Sequence, residues 1–346
     1  MNMCEAFGDL GHNVVLLVPD RADGSVENIF EHYGVERTFD IQKLPWDPLK
    51  GYQYSVLATV IAYRNKSDLV YSRSIAGCYF SSKIGLQTVY ESHAPADKLH
   101  PITDRMFRSL IRSPSMLKLV VISDALGEYY LSRYNLGEKI LTAHDAADPT
   151  DGKPIDEIKA RNGLQAGYVG QLYEGKGMGL ISDLAQKRPD ITFHIVGGTD
   201  EDIEKWQSQT AKLNNIVYHG FVPPNRVPDY QASFDVLLAP YQREVYGSGG
   251  KTDLSNWMSP LKIFEYMAAE RPIICSDLPV LCEVLQDGDT AYLCPPDDIS
   301  AWSQALSRIK KHEKESMEIA SRAKQVYEEN YTFEKRAEKV LSDILK

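Results

Sequence analysis

The sequence predicts an α/β protein of two domains, each built on a doubly wound parallel sheet with helices on both faces. Short apolar runs of strand length alternate with helical stretches along most of the 346 residues. The polar stretch ADPTDGKPIDEIKARN, residues 147–162, interrupts this alternation. A polar stretch with prolines and glycine between two patterned halves is typical of an interdomain linker.

The first half opens with a helix that ends at Gly11, followed by the strand NVVLLV. Next come a weak strand, RTFDI, and a helix, YQYSVLATVIAYRN, with apolar residues at helical spacing. Further strands are expected at DLVYS, QTVYES, LKLVVIS and KILTAH. The helices between them are expected at 74–84, 103–111 and 125–134.

The second half begins with the strand AGYVG, and further strands are expected at ITFHIV, NIVYHG, FDVLLAP, PIICS and TAYLC. Helices or short helical turns lie between them. The chain closes with helices from Ile299 to about Tyr327 and from Phe333 to Leu345. Because open parallel sheets place ligands at the carboxyl ends of their strands, the residues that follow each strand are the first candidates for a site.

Composition and charge exclude several classes of protein. The formal net charge of −10 argues against a nucleic-acid partner, whose phosphates would be repelled. The five cysteines are scattered without zinc-ligand spacing, which indicates reduced thiols and a cytoplasmic location. No run of about 18 apolar residues and no signal peptide is found, so a transmembrane helix and secretion are not expected.

The stretch SPLKIFEYMAAERPIICSD, Ser259 to Asp277, predicts an anion-binding helix followed by a buried strand. Ser259 is expected to cap the helix, and Pro260 suits its first turn. Lys262 and Glu265 are three residues apart and share one face. Glu265 therefore either grips ligand hydroxyls beside a bound phosphate or simply faces solvent or Lys262; the pattern leaves both open.

A second motif, GYVGQLYEGKG (Gly167 to Gly177), places Gly170 after a strand and Lys176 just before a helix. Glycine allows a close approach of the backbone to a ligand, and a lysine at this point can meet a diphosphate as a point charge. The alternative for Lys176 is an ordinary surface lysine, since this motif alone is weak.

Taken together, these motifs resemble the donor-site signature of family 4 retaining glycosyltransferases with the GT-B fold. FHIVGG, NIVYHGFVPPNRVPDYQASFDVLLAPY and DGDTAYLCPPDDISAWSQAL follow in the same order and spacing as in that family. The resemblance covers most of the chain from Gly167 onward and is specific as a set. The first half resembles the family more loosely, through GHNVVLLVPD, DLVYSR, VYESHA, VISDALGEYY and KILTAHDAADP.

The resemblance implies a GT-B fold of two Rossmann-like domains. Residues 1–148 would form the acceptor domain, residues 149–330 would form the nucleotide-sugar donor domain, and residues 331–346 would be a helix that returns to the first domain. Family members usually begin one strand earlier, so the first domain is expected to lack its central first strand here.

The resemblance also assigns roles to single residues. An arginine usually follows the first glycine of the lysine motif, and Gln171 stands in its place, while Lys176 keeps the lysine that holds the donor diphosphate. Glu265 corresponds to the glutamate that binds the ribose. Trp257 replaces the glutamate that usually contacts the transferred sugar, which leaves the sugar open. The remaining residues expected to bind the donor are Gly170, Phe221, Val222, Ser259, Pro260, Leu261 and Lys262, with Phe221 and Val222 beside the base.

VYESHAP places Glu91 and His93 at a strand end. His93 resembles the histidine that points towards the donor sugar and its phosphate, and it is grouped with Lys176 and Glu265 as catalytic. A purely structural histidine is the alternative, and Glu91 is expected to support the loop. The plain alternative for Phe221 and Val222 is a strand-end turn followed by two prolines.

The function implied is transfer of a sugar from a UDP- or GDP-linked donor to a carbohydrate or lipid-linked hydroxyl, in polysaccharide or glycolipid synthesis. Neither a metal nor another cofactor is expected. One alternative is an impaired relative that binds nucleotide or a protein partner, because Gln171, Trp257 and the absent strand depart from the pattern. A nicotinamide-dependent oxidoreductase is weaker, since no complete G-x-G-x-x-G follows an early strand.

Two further segments concern partners. The polar loop QREVYGSGGKTDLSNWM, residues 242–258, is long enough to order over a donor or acceptor, or is simply a surface loop. DRMFRSLIRS places Arg105, Arg108 and Arg112 at helical spacing with apolar residues between them. This segment is either a basic helix that contacts the inner face of a membrane or an ordinary solvated helix face.

Overall fold

A computed structural model of the chain describes residues 1–20, 29–30, 33–47, 52–98, 100–149, 151–247 and 253–345. The chain divides into two compact units. Unit 1 comprises Met1–His144 together with Phe333–Lys346, and unit 2 comprises Asp145–Thr332. The chain passes from unit 1 to unit 2 between residues 144 and 145. It returns to unit 1 between residues 332 and 333, directly before the last helix.

Unit 1 alternates strands and helices in chain order. Its described helices are α1 (Asn2–Asp9), α2 (Gln53–Arg64), α3 (Ile75–Lys83), α4 (Pro101–Leu110) and α5 (Asp124–Leu131). Its described strands are β1 (Val15–Asp20), β2 (Asp40–Pro45), β3 (Val70–Ser72), β4 (Thr88–Ser92), β5 (Met116–Val121) and β6 (Ile140–Thr142).

The described strands of unit 1 are all parallel but form two sheets. One sheet pairs β1 with β2, and the other has the order β3-β4-β5-β6. A doubly wound sheet would join them through a central strand. Among the described residues the strands of unit 1 thus form two separate sheets, and not the one doubly wound sheet that the sequence predicted for this domain.

The core of unit 1 joins the two ends of the chain. Ala6 and Phe7 of α1 pack with Val89 and Val120 of the larger sheet, and with Val340. Val340 belongs to the last helix, Phe333–Ile344. The chain thus leaves unit 1 after His144, forms all of unit 2, and returns so that its last helix completes the core of unit 1.

Unit 2 also alternates strands and helices. Its strands are β7 (Leu164–Val169), β8 (Ile191–Val196), β9 (Ile216–Gly220), β10 (Val236–Ala239), β11 (Ile273–Ser276) and β12 (Tyr292–Cys294). Its described helices are α6 (Asp156–Lys159), α7 (Met178–Lys187), α8 (Asp200–Gln209), α9 (Val227–Ser233), α10 (Leu261–Ala268), α11 (Ile299–Lys311) and α12 (Glu313–Asn330). The last helix of the chain, α13 (Phe333–Ile344), belongs to unit 1.

The six described strands of unit 2 form one parallel sheet with the order β12-β11-β10-β7-β8-β9. After β7 the chain adds β8 and β9 on one side, and then crosses to add β10, β11 and β12 on the other. The order of connection therefore reverses between β7 and β10. Crevices outside the carboxyl ends of strands at such a reversal are where open α/β sheets bind ligands.

Two details differ from the sequence analysis. The stretch expected as one helix from Ile299 to about Tyr327 is two helices, because the backbone at His312 leaves the helical region (φ −124°, ψ 55°). The polar linker contains the short helix α6, whose buried Ile158 packs into the core of unit 2. Ile155 packs against the same core, and its backbone N–H donates to the Ser233 hydroxyl at 2.7 Å.

No helix among the described residues has both the length and the apolar character that crossing a membrane requires. The five cysteines, Cys4, Cys78, Cys275, Cys282 and Cys294, are all free thiols.

A single hydroxyl joins α10 to β7 in the core of unit 2. The Tyr266 side chain is fully buried, and its hydroxyl accepts a hydrogen bond of 2.8 Å from the Val169 backbone N–H. We expect Tyr266→Phe to lower the free energy of unfolding by about 1–3 kcal/mol, because it leaves a buried donor without its partner.

Urea denaturation of the two proteins measures this difference. Tyr218→Phe is the matched control: its hydroxyl shares a 3.0 Å hydrogen bond with Thr210 in a partly buried setting, and Thr210 also bonds to Trp206. An equal loss of stability in both variants would contradict a special role for Tyr266.

Candidate functional site

The candidate site in unit 2 lies where the strand order reverses. Gly170 directly follows β7, and Tyr241 lies two residues after β10. Helix α10 follows the segment after β10 and carries Lys262 and Glu265. The sequence motifs of residues 167–177 and 259–277, which are about 90 residues apart, therefore meet at one edge of one sheet.

Gly170 leaves room for a lysine. Its φ is +142°, a conformation that favours glycine, and a Cβ at this position would lie 3.0 Å from Nζ of Lys262. The Gly170 N–H donates to the Val196 carbonyl at 2.9 Å, which fixes the loop against β8. A side chain at residue 170 would thus occupy the space that the Lys262 amino group uses.

The Lys262 amino group is buried without a hydrogen-bond partner among the described residues. Its Nζ lies 3.7 Å from the centroid of the Tyr168 ring and 5.2 Å from that of Tyr241. Both tyrosines are fully buried. Burial, and then the nearby charge of Lys176, holds the pKa of Lys262 well below its ordinary value, although Glu265 opposes this. An ammonium group that lies over aromatic faces and has no acceptor among the described residues is a favourable place for an anion to bind.

Lys176 brings a second amino group to the same tyrosine. Its Nζ lies 5.0 Å from the centroid of the Tyr241 ring, and burial lowers its pKa. The glycines on either side, Gly175 and Gly177, both have positive φ and touch the backbone of the segment after β10. A Cβ on Gly177 would stand 2.0 Å from the Pro240 carbonyl oxygen, so this close approach requires glycine.

The beginning of α10 differs from the prediction that Ser259 caps it. The N-cap residue is Pro260, and no side chain caps the helix. The Ser259 hydroxyl instead accepts a hydrogen bond of 2.9 Å from the backbone N–H of Asp145. Of the first-turn N–H groups of α10, that of Ile263 donates to the Pro260 carbonyl at 3.0 Å, whereas those of Leu261 and Lys262 have no hydrogen-bond partner among the described residues. The uncapped helix start adds a favourable place for negative charge.

Glu265 lies one turn into α10 and is partly buried. The carboxylate oxygen Oε2 lies 3.5 Å from Nε2 of Gln231 on α9, at the limit of a hydrogen bond. Burial raises the pKa of Glu265, while Lys262 and Gln231 oppose the rise. A carboxyl group held in this way retains acceptor capacity for a ligand.

The other residues predicted for this site lie at its borders. Gln171 is exposed, and its backbone carbonyl accepts a hydrogen bond of 2.5 Å from the Tyr168 hydroxyl. Trp257 is half-buried, five residues before Lys262. Phe221 follows β9 directly and is 69% exposed, whereas Val222 packs against the core of unit 2. An apolar ring that is this exposed at the carboxyl edge of a sheet can stack on a ligand.

His93 lies in unit 1, just after β4. Its Nε2 is 2.6 Å from Oε1 of Glu91, and its side chain is 25% exposed. Glu91 therefore bonds to the histidine, in addition to any support that it gives the loop. The structure places His93 and the lysine pair in different units, and it brings together Gly170, Lys176, Lys262 and Glu265 within unit 2.

The three arginines of the basic segment are exposed on α4 and the turn that follows it. Phe107 and Leu110, which alternate with them, are fully buried in unit 1. The helix therefore uses part of its apolar face for its own core and exposes the arginines together with Ile102, which is 49% exposed. In the polar loop of residues 242–258, residues 248–252 lie outside the described part of the chain.

Sequence analysis missed the aromatic residues that hold Lys262. Tyr168 and Tyr241 end or follow apolar strands, where a tyrosine looks like any core residue. No spacing rule links them, because their contact with Lys262 depends on the packing of β7, β10 and α10. The same holds for Gln231, which reaches Glu265 from α9.

Comparison with known proteins shows which sequences and folds this chain is similar to. Residues 164–312 match the family model described as Glycosyl transferases group 1. The chain is 27% identical over 122 residues to the putative teichuronic acid biosynthesis glycosyltransferase TuaH of Bacillus subtilis, an alignment that covers 35% of this chain and 29% of TuaH. It is 21% identical over 239 residues to 2-deoxystreptamine glucosyltransferase of Streptomyces kanamyceticus, with coverage of 64% and 58%. The chain thus spans less than two thirds of the length of either relative.

Solved structures resemble nearly the whole chain. The structure of HepE from Anabaena in complex with UDP has a TM-score of 0.74 at 15% sequence identity and covers 99% of this chain and 94% of HepE. The HepE complex with UDP-glucose has a TM-score of 0.71 at 15% identity, with the same coverage. At this level of identity the comparison shows a shared fold.

Replacing Lys262 by methionine tests the unpartnered amino group through stability. The unfolded state keeps this lysine protonated up to about pH 10.4, whereas the folded state releases the proton at lower pH. Between these two pKa values the unfolded state binds more protons, so stability rises with pH. We expect Lys262→Met to flatten that rise and to be more stable than the wild type at pH 7, by about 1 kcal/mol.

Urea denaturation at pH 7, 8 and 9 gives both quantities. Lys187→Met is the control, since Lys187 is exposed and bonds only to Ser300 among the contacts described. A Lys262→Met protein that is less stable than the wild type, with an unchanged pH slope, would contradict the assignment.

Proposed function

We propose that this chain, whose second unit matches the group 1 glycosyltransferases and whose fold is the GT-B fold predicted from the sequence, transfers a sugar from a nucleotide-diphosphate donor to an acceptor hydroxyl. The observation that carries the proposal is the buried Lys262 amino group, which has no acceptor of its own among the described residues. It lies beside Lys176 and the uncapped start of α10, at the point where the strand order of the sheet reverses.

The donor diphosphate fits the charge of this site. Lys176 and Lys262 approach the same Tyr241 ring and repel each other, so an anion between them would relieve the repulsion and favour both ammonium forms. The backbone N–H groups of Leu261 and Lys262 add two neutral hydrogen-bond donors at the start of the helix. Lys262 then supplies the cation that Gln171 does not.

The nucleoside would be held on both sides of the diphosphate. The partly buried carboxyl of Glu265 accepts hydrogen bonds from the ribose hydroxyls, with Gln231 as its orienting neighbour. The exposed ring of Phe221 and the adjacent Val222 border the base. Ser259 and Pro260 shape the backbone that leads into α10, and Trp257 offers a ring face to the sugar in place of a carboxylate.

We assign the donor to the UDP-linked hexoses rather than to GDP-linked sugars. The support is the HepE structure, which has the same fold and was solved with UDP and with UDP-glucose. The acceptor we propose is a carbohydrate or lipid-linked hydroxyl of a cell-surface polysaccharide, because the relative TuaH is described as a teichuronic acid biosynthesis glycosyltransferase. The free thiols support a cytoplasmic location.

The reaction follows from positioned charge and requires no metal in this proposal. The bond between the sugar C1 and the diphosphate oxygen breaks, and its electron pair leaves on that oxygen, where Lys176, Lys262 and the helix amides stabilise the charge. The acceptor hydroxyl bonds to C1 from the same face, so configuration is retained, and its proton passes to the departing phosphate oxygen. His93 would orient the donor sugar.

A protein that only binds nucleotide is the alternative, and it rests on Gln171 and Trp257, which depart from the pattern of the resembling family. Incubation with UDP-glucose in the absence of an acceptor separates the two. A transferase of this kind releases UDP slowly as water replaces the acceptor, and Lys176→Ala abolishes that release. A folded wild type that binds UDP but releases none from UDP-glucose would overturn the catalytic proposal.

Glu265 provides a direct test of the nucleotide site. We expect Glu265→Gln to weaken UDP binding about tenfold to a hundredfold, because hydrogen bonds to a charged acceptor contribute about 1.5–3 kcal/mol. Calorimetric titration with UDP, without metal, measures the affinity. GDP and ADP are titrated in the same way, so that the three bases can be compared.

The control for this titration is Glu270→Gln. Glu270 lies just after the same helix and pairs with Lys324 at 3.0 Å on the surface. If UDP binds both glutamine variants and the wild type equally well, Glu265 is not a ligand of the ribose.

We also propose that unit 1 contacts anionic lipid through its basic face. Lys83 of α3 and Arg105, Arg108 and Arg112 line a surface cavity of about 550 Å³ together with three serines. Arg108 pairs with Asp104 at 2.9 Å, whereas Arg105 and Arg112 have no partner in the part of the chain that the structure describes. Since Phe107 and Leu110 are buried in the core, the contact is electrostatic and does not insert into the membrane.

Vesicle sedimentation tests this contact. We expect the wild type to bind vesicles that contain phosphatidylglycerol but not pure phosphatidylcholine, and Arg105→Glu/Arg112→Glu to lose most of this binding, since each basic residue contributes about 1 kcal/mol near such a surface. Arg226→Glu/Arg308→Glu, which makes the same charge change in unit 2, should bind like the wild type. Equal binding by both double variants would leave α4 as an ordinary solvated helix.

A further inference from the structure

A buried cluster in unit 1 connects His93 to the last helix of the chain. Glu91 is the fourth residue of β4, and its side chain is 6% exposed. Arg336 on α13 is 3% exposed and donates from Nη1 to Glu91 Oε2 at 3.0 Å. These two residues are separated by 245 positions in the sequence. They form a buried ion pair close to the histidine that the sequence motif singled out.

Both oxygens of the Glu91 carboxylate are engaged. Oε1 bonds to His93 Nε2 at 2.6 Å, and Oε2 accepts from Arg336 and from the hydroxyl of Tyr71 on β3. Burial by itself raises the pKa of Glu91, but the hydrogen bond from His93 and the charge of Arg336 outweigh burial and hold the pKa well below its ordinary value. The carboxyl group is therefore ionised and has no proton to donate.

This fixes which histidine nitrogen carries a proton. Because an ionised carboxylate only accepts hydrogen bonds, Nε2 of His93 must be the donor. The other ring nitrogen, Nδ1, has no hydrogen-bond partner within the described residues. The ring is held at one end by Glu91 and is free at the other end to contact a ligand.

Arg336 also donates hydrogen bonds to two backbone carbonyls, in addition to its ion pair with Glu91. Its Nε donates to the His144 carbonyl at 2.8 Å and its Nη2 to the Ala143 carbonyl at 3.2 Å. Both carbonyls lie just after β6, so the guanidinium joins the ends of two strands of the sheet to α13. The guanidinium thus fixes Glu91, and Glu91 in turn fixes His93.

From this geometry we propose that Glu91 is a positioning residue for His93, and that Arg336 on the last helix locks Glu91 in place. The inference rests on the proposed function, in which His93 orients the donor sugar. A buried ion pair often contributes little to stability compared with apolar residues of similar size. The pair is therefore assigned here to the orientation and tautomer of the imidazole.

The experiment compares Glu91→Gln with the double variant Glu91→Gln/Arg336→Met. The single variant leaves a buried guanidinium unpaired and is expected to lower Tm, whereas the double variant removes both charges and is expected to recover most of that loss. Both are expected to reduce kcat for release of UDP from UDP-glucose by about a hundredfold, while the affinity for UDP, measured by calorimetry, stays unchanged. Glu338→Gln, the same change in an exposed pair on α13, should alter none of these quantities.

Long-range ¹H–¹⁵N correlation spectra of the imidazole nitrogens supply a readout that does not depend on turnover. His93→Gln identifies the His93 signals. We expect a protonated Nε2 in a fixed state in the wild type, and exchange between tautomers in both Glu91 variants. Recovery of kcat together with Tm in the double variant, or an unchanged His93 spectrum in Glu91→Gln, would overturn the proposal.

The spectra also separate this proposal from the proposed function. A wild type that releases no UDP from UDP-glucose, yet shows a fixed His93 that becomes mobile in both Glu91 variants, would refute the transferase activity and support the positioning of His93. A wild-type His93 that already exchanges between tautomers would refute the positioning.

Discussion

The candidate site of unit 2 depends on one electrostatic constraint, a buried amino group that has aromatic rings around it and no acceptor among the described residues. Placing Lys262 there costs free energy in the absence of an anion, because burial and Lys176 both disfavour its charged form. Gly170 has to lack a side chain for the lysine to reach this position. The Gly170 loop, the start of α10 and the two tyrosines all lie around this amino group. In the proposed function, its missing partner is the anion of the ligand.

Two residues that depart from the resembling pattern border this arrangement. Gln171 stands where the pattern has an arginine, and its side chain is exposed. Lys262 approaches the neighbouring Gly170, with its Nζ 3.0 Å from the position that a Cβ on that glycine would take. One ammonium group cannot reproduce the bidentate geometry of an arginine, but it can supply the same charge to a phosphate, as the proposed function requires. In that proposal Trp257 offers the sugar a ring face for stacking in place of a hydrogen-bonding carboxylate.

Unit 1 also contains a buried ionisable group, but there the charge is negative. There the buried charge is a carboxylate, and it is fully satisfied: Glu91 accepts from His93, Tyr71 and Arg336. The last helix contributes the arginine, so the chain has to return from unit 2 before His93 can be fixed. Lys262 has no acceptor among the described residues, whereas both carboxylate oxygens of Glu91 are engaged.

The sequence by itself determined the α/β class, the parallel strands and the motifs that carry Gly170, Lys176, Lys262 and Glu265, which unit 2 brings together. These follow from local periodicity, glycine positions and motif spacing, all of which are written within about 20 residues of chain. Only the tertiary structure decided that Pro260 rather than Ser259 begins α10, that Tyr168 and Tyr241 hold Lys262, and that Arg336 reaches Glu91. Those contacts join residues about 20 to 245 positions apart, and side-chain packing, which no local pattern records, sets them.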